Sequence, residues 1–338
     1  MSAPHGLAQP VGHDAAARAF ADAWDAGRLH HAWLIGGPPG IGKATFAAAA
    51  AAWVLAGGMP GGPLALLPSH PVARKVAAGG HPDLRLVSRA ENPKTGRPYT
   101  EIRIDDIRAM IAFLRLTGAE SPWRVAIVDS ADDLSPEAAN GLLKILEEPP
   151  PKALILLVCH APARLLPTIR SRCRRLALAP LAPATVEALL ARLAPELPEA
   201  ERRAAAAHAG GSVGRALALA EGGAAELAAA LARVFQGLPA LDAAAAHALA
   251  DRLARPGGEE GFALFMGLLR DRIALAAKAA ATGTGDRVAR LRPLEEWGCL
   301  WEKVGRLARL TGALNLDRKQ AILSALLALR PGAALDPP

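Results

Sequence analysis

The chain holds 338 residues, 51% of them hydrophobic, with 32 glycines and 28 prolines, which excludes a small disulfide-stapled scaffold and a low-complexity disordered chain and leaves room for two or three domains. Its 39 Lys and Arg against 32 Asp and Glu leave a formal charge of +7 spread along the chain, which permits nucleic-acid contact without any basic localisation tract. Three widely spaced cysteines, Cys159, Cys173 and Cys299, fit free thiols in a reducing compartment and offer no zinc spacing; with no secretory leader and no long apolar span read, a cytoplasmic protein without membrane contact is expected.

Alanine runs at 47–52 and 204–207 predict that helix dominates. In chain order, Asp14 to Trp24 carries helical periodicity, Ala32 to Ile35 reads as a buried strand, and Gly36 to Gly42 is a glycine and proline loop opening a helix over Lys43 to Leu55. The Gly- and Pro-rich stretch from Ala56 to Gly80 reads as an insertion, with Leu84 to Val87 leading into a hairpin turn at Asn92-Pro93-Lys94-Thr95-Gly96. Ile102 and Ile104 alternate with polar residues as a strand does, and Asp105 is placed to cap the helix that follows. Arg124 to Val128 is the next strand, Ser135-Pro136 starts a helix that ends before Pro149, and Leu154 to Val158 is the last strand. Strands alternating with helices imply a parallel α/β sheet. Beyond Pro180 the pattern is helical, broken at Pro256-Gly257-Gly258 and at Thr282 to Gly285. Boundaries are expected at 1–179, 180–223 and 224–332, with a disordered tail at 333–338.

Gly37-Pro38-Pro39-Gly40-Ile41-Gly42-Lys43 has P-loop spacing between a strand and a helix, so backbone N–H groups can converge on phosphate oxygens while Lys43 reaches the outer phosphates. The hydroxyl that should follow to hold Mg²⁺ is replaced by Ala44, and Thr45 stands one position late, rotated by about 100° on a helix. Val125 to Asp129 is a hydrophobic strand delivering an acid beside the loop. A hydrolase needs a glutamate next to activate water, and here that residue is Ser130. Asp132 and Asp133 read as a solvated turn. No metal is expected in the 57–80 stretch, which has no cysteine, since His70 and the adjoining His81 alone cannot hold a structural zinc.

His31-Ala32-Trp33-Leu34 ahead of the glycine loop, Ala139-Asn140-Gly141-Leu142-Leu143-Lys144-Ile145-Leu146-Glu147-Glu148-Pro149-Pro150, and Leu166-Pro167-Thr168-Ile169-Arg170-Ser171-Arg172-Cys173 together resemble the clamp-loader AAA+ subunits of bacterial DNA polymerase III. The likeness is strong over most of residues 1–220 and weak further on, through Asn315 to Gln320. It implies an α/β AAA+ P-loop domain with a parallel sheet, a small helical lid domain and an all-α collar that serves oligomerisation. The implied partners are motor (gamma/tau) and delta subunits in a hetero-pentamer, acting on a sliding clamp and primer-template DNA. Ser171-Arg172-Cys173 matches the family motif whose arginine enters the neighbouring motor subunit's ATP site. Family sensing positions depart from the motor pattern, with Cys159 or His160 after the last strand and glycine at 214 ahead of Arg215.

The resulting expectation is a subunit of the stator kind, which hydrolyses nothing itself, requires no cofactor, and leaves ATP or ADP binding at the loop open. The alternatives are an ATP-hydrolysing motor of a clamp loader or branch-migration helicase, which demands Ser or Thr at 44 and Glu at 130, and a small-molecule P-loop kinase, which has no use for Ser171-Arg172-Cys173.

Overall fold

The computed structural model describes residues 10–58, 63–91, 96, 99–221, 224–255, 259–283, 287–314 and 316–332. Residues 92–95 of the expected turn at 92–96, residues 284 and 285 of the expected break at 282–285, the whole break at 256–258, Asn315 and the tail at 333–338 lie outside the described residues. The chain divides into two compact units, Met1–Pro195 with Ala209–Gly214, and Glu196–His208 with Arg215–Pro338.

The first unit contains α1 (Asp14–Asp25), β1 (Ala32–Gly36), α2 (Lys43–Leu55), α3 (Pro71–Ala77), β2 (Leu84–Val87), α4 (Ile104–Leu114), β3 (Arg124–Asp129), α5 (Pro136–Glu147), β4 (Ala153–Cys159), α6 (Pro167–Ser171), β5 (Arg174–Ala177) and α7 (Pro183–Leu193). The strands form one sheet in the order β2-β3-β4-β1-β5, with every neighbouring pair parallel. Parallel pairing requires long crossovers, which the helices supply. Because strand side chains alternate between faces, Trp33, Ile35, Val125, Ile127 and Leu156 pack with Phe20, Phe46 and Trp53 of α1 and α2. Leu34, Ala126, Val128, Ile155 and Leu157 pack on the opposite face with Ile107, Met110, Leu142 and Ile145 of α4 and α5. Both faces are covered, which is why β1, β3 and β4 read as unbroken apolar runs.

The helix starting at Pro136 is as expected, with Ser135 Oγ accepting the Ala138 N–H at 3.2 Å. Four expectations are corrected. Ile102 makes only an isolated bridge to Leu134, and Ile104 is already the first residue of α4. That helix start is closed by Asp106, whose carboxylate accepts the Arg103 N–H at 3.1 Å, while Asp105 pairs with Arg108 on the surface. The 56–80 stretch holds a short helix, α3, begun by the His70 ring accepting the Val72 N–H with Pro71 at the first position. The last strand is β5 rather than β4; as an edge strand it buries only Leu176 and so carries no apolar run.

The second unit contains α8 (Glu199–His208), most of α9 (Val213–Glu221), α10 (Ala224–Gly237), α11 (Ala243–Leu253), α12 (Glu259–Thr282), α13 (Leu294–Leu314) and α14 (Arg318–Leu327). Trp297 is fully buried there and donates its indole N–H to the Ala289 carbonyl at 3.2 Å. Asp242 and Asp317 cap α11 and α14, accepting the Ala245 and Gln320 N–H groups. Among the described residues no helix is long and apolar enough to cross a membrane.

Asp83, fully buried just before β2, ties the sheet edge together: it accepts N–H groups from Ala119 at 2.7 Å, Glu120 at 2.7 Å and Ser121 at 2.9 Å, and lies 3.6 Å from Arg124 Nη2. Burial alone would raise its pKa, but the three donors and Arg124 outweigh it and hold the carboxyl below its ordinary value. The stability it contributes is therefore present above the unfolded carboxylate's pKa and lost as pH falls through the lower folded value. Asp83→Ala, which strips three backbone donors of their acceptor and Arg124 of its counter-ion, leaving Arg124 with the Thr117 carbonyl and the Phe113 ring, is expected to destabilise this unit by about 3 to 5 kcal/mol, read as a shift in denaturant midpoint with the slope unchanged.

Candidate functional site

The parallel register sets Gly36 beside Cys159 and Asp129 beside Val158, so the segments leaving β1, β3 and β4 emerge at one edge of the sheet. That carboxyl edge is where open α/β sheets bind ligands. The loop leaving β1 runs through Gly37, Pro38, Pro39, Gly40 and Ile41 to Gly42, which takes a φ of 95° as the N-cap of α2. Two contacts brace this loop. His13 Nε2–H donates to the Ile41 carbonyl at 2.8 Å, and the Gly214 N–H donates to the Gly40 carbonyl at 3.1 Å.

Lys43 is buried and donates to the Pro38 carbonyl at 2.6 Å, back onto its own loop. Burial lowers its pKa, opposed by Asp132, Cys159 and Asp129. Burial likewise raises the pKa of Asp129, opposed by His160 and Lys43. Ser130 Oγ and His160 Nε2 share a hydrogen bond of 2.8 Å. Desolvation, and next the Lys43 ammonium, lower the His160 pKa, opposed by Asp132, Asp129 and Asp133. Ala44 and Thr45 stand half-buried in the first turn of α2.

Asp132 is not the solvated turn residue expected from sequence. Its carboxylate accepts the His160 N–H at 2.5 Å, the Ala161 N–H at 2.8 Å and the Cys159 S–H at 3.2 Å. Burial would raise its pKa, and these bonds lower it instead. Of the two candidates at the end of β4, Cys159 is buried against Asp132, whereas His160 keeps an exposed edge and reaches Ser130. Cys159 is pushed up to about 12 by burial and by Asp132.

Ser171, Arg172 and Cys173 end α6. Ser171 Oγ donates to the Thr168 carbonyl at 3.1 Å, and Cys173 is buried with its thiol pushed up to about 12. Arg172 is partly exposed; its bonds run to Thr168, Ser171 and Glu147, not to the P-loop group. Arg174 lies over the Trp33 ring at 4.8 Å, so the arginines here are not a uniformly solvated face. His13, Asp132 and the contact from the start of α9 were missed by sequence reasoning, because each acts through a partner distant in the chain.

A glycine-rich strand-to-helix loop with a buried lysine, at the carboxyl edge of a parallel sheet, defines a P-loop α/β protein. Residues 12–182 match the family described as "DNA polymerase III, delta subunit", and the chain belongs to that family. It is 37% identical over 188 residues to DNA polymerase III subunit delta' of Pseudomonas aeruginosa, covering 54% of this chain and 53% of that protein. The delta' subunit of Bacillus subtilis is 35% identical over 162 residues, covering 47% of this chain and 45% of its own length. DNA polymerase III subunit gamma/tau of Mycobacterium bovis is 33% identical over 191 residues, 56% of this chain and 31% of that protein. The chain thus spans about half the length of the curated delta' relatives it matches.

Two outcomes test this geometry. In an NMR titration, His160 is expected to protonate below the ordinary histidine midpoint, and Lys43→Met to move that midpoint upward; because the folded value is the lower one, charging this ring costs stability as pH falls below the unfolded value. In native protein at about pH 8, iodoacetamide mapped by mass spectrometry should label exposed Cys299 and spare Cys159 and Cys173 until the chain is unfolded.

Proposed function

We propose that this chain is a delta prime subunit of a DNA polymerase III clamp loader, an AAA+ stator that hydrolyses no ATP itself and lends Arg172 to the ATP site of a neighbouring motor subunit. Its partners are gamma/tau and delta subunits in a hetero-pentamer that loads a sliding clamp on primer-template DNA. Residues 180–223 serve as the lid and 224–332 as the assembly collar. No nucleotide is required at the Gly37 to Lys43 loop.

The observation that carries this reading is the Ser130–His160 bond. Where ATP hydrolysis needs a carboxylate to take a proton from water, the residue after β3 is a hydroxyl hydrogen-bonded to His160. General-base catalysis is worth about 10² to 10⁴ in rate. Asp132 is a weak substitute, since three donors engage its carboxylate and lower its basicity. Ala44 adds the loss of the hydroxyl that positions Mg²⁺. The likeness to a gamma/tau protein over a similar length does not separate stator from motor; alanine at 44 and serine at 130 support the stator reading. Arg172 supports the trans role because its guanidinium is always charged, partly exposed and unconnected to its own loop, so it can meet charge developing on a phosphoryl group elsewhere.

The test is steady-state ATP turnover in the complex rebuilt with motor and delta subunits, clamp and primed DNA. Arg172→Ala is expected to lower turnover by at least about tenfold while the pentamer still assembles; an arginine finger is worth about 10³ to 10⁵ in rate at the site it serves. The chain alone should hydrolyse nothing. Unchanged turnover would make Arg172 surface charge, and hydrolysis by the lone chain would make this a motor.

A further inference from the structure

The last residue of α5 and the residue that closes α6 meet through one ion pair. Glu147 Oε1 lies 2.7 Å from Arg172 Nη2, while Arg172 Nη1 donates to the Thr168 carbonyl at 2.9 Å and lies 3.4 Å from Ser171 Oγ. Both anchors are themselves fixed. Ile145 and Leu146 of α5 and Ile169 of α6 are buried in one cluster, and Pro149-Pro150 end α5 just beyond Glu147. A guanidinium has five N–H donors, and these contacts take three at most, so donors remain for a further acceptor.

From this geometry we infer that Glu147 is a positioning residue for Arg172: it holds the guanidinium in the arrangement in which it is offered to a neighbouring subunit. The inference rests on the reading of Arg172 given above. A carboxylate beside a cation bound for phosphate has two opposed effects. It fixes the side chain before docking, which spares ordering cost, and it offsets positive charge that the phosphates would use. The side chains are 36% and 51% exposed, so water and salt screen the charge effect, whereas the geometric effect remains. Positioning therefore outweighs neutralisation.

The experiment uses the rebuilt complex, comparing kcat and KM for ATP in Glu147→Ala, Glu147→Gln, Arg172→Ala and the Glu147→Ala/Arg172→Ala double variant, with assembly followed by size exclusion. Glu147→Ala should lower kcat by about two- to fivefold, the scale of an exposed ion pair, with KM unchanged. Glu147→Gln, which keeps a hydrogen-bond acceptor of the same length, should recover at least half of that loss. Adding Glu147→Ala to Arg172→Ala should change nothing further. Turnover at or above wild type in Glu147→Ala overturns the inference, as does a Glu147→Gln complex that fails to assemble, which would make Glu147 an interface or folding residue. If Arg172→Ala itself leaves turnover intact, the reading of Arg172 fails and this inference fails with it; a loss in Arg172→Ala alone sinks only the role of Glu147.

Discussion

Three parallel strands ending level with one another impose a problem that most of the polar chemistry in this protein answers. With Gly36 beside Cys159 and Asp129 beside Val158, the chain must leave β1, β3 and β4 over the same edge without abandoning backbone donors there. Asp132 meets that need. From the turn after β3 it accepts two successive N–H groups of the segment after β4, at 2.5 and 2.8 Å, so one carboxylate fastens adjacent strand ends and sets where His160 stands. His160 in turn reaches Ser130, closing a loop of contacts from β3 to β4 and back.

The same edge shows how buried charge is balanced. Burial disfavours the charged forms of both Lys43 and Asp129, and each eases the other's cost. The His160 pKa is lowered beside Lys43 because desolvation and the ammonium act in the same direction and outweigh the carboxylates of Asp132, Asp129 and Asp133. A glutamate at 130 would add a second carboxylate next to Asp129. The serine found there adds a hydrogen bond and no charge, so the cluster is settled electrostatically as it stands.

How much of this was legible in the sequence depended on whether a feature is local. The P-loop spacing, the Ser135-Pro136 helix start and the apolar runs of β1, β3 and β4 are local patterns, and the structure has all of them. β5 was not legible because an edge strand needs only one buried side chain, and Arg174-Arg175 reads as surface. Ile102 and Ile104 imitated a strand because two isoleucines at a helix start, the first buried and the second half-buried, have the same spacing as strand alternation. Asp132 and Asp133 look alike in sequence, yet one is locked by backbone donors and the other pairs with Arg89 at 3.3 Å. Only the folded arrangement distinguishes them.

The glycines of the phosphate loop admit a reading that needs no phosphate. A Cβ at Gly37 would lie 2.5 Å from the Leu178 carbonyl oxygen, and one at Gly40 would overlap the Ser212 hydroxyl, with Gly40 already in the left-handed region at a φ of 74°. Gly40 also accepts the Gly214 N–H, so the loop tip and the start of α9 approach backbone to backbone. These contacts would penalise a side chain at 37 or 40 whether or not a nucleotide ever binds. A chain with alanine at 44 and serine at 130 therefore has a packing reason for its glycines that is independent of any phosphate. The loop sequence testifies to a folded joint more directly than to an occupied site.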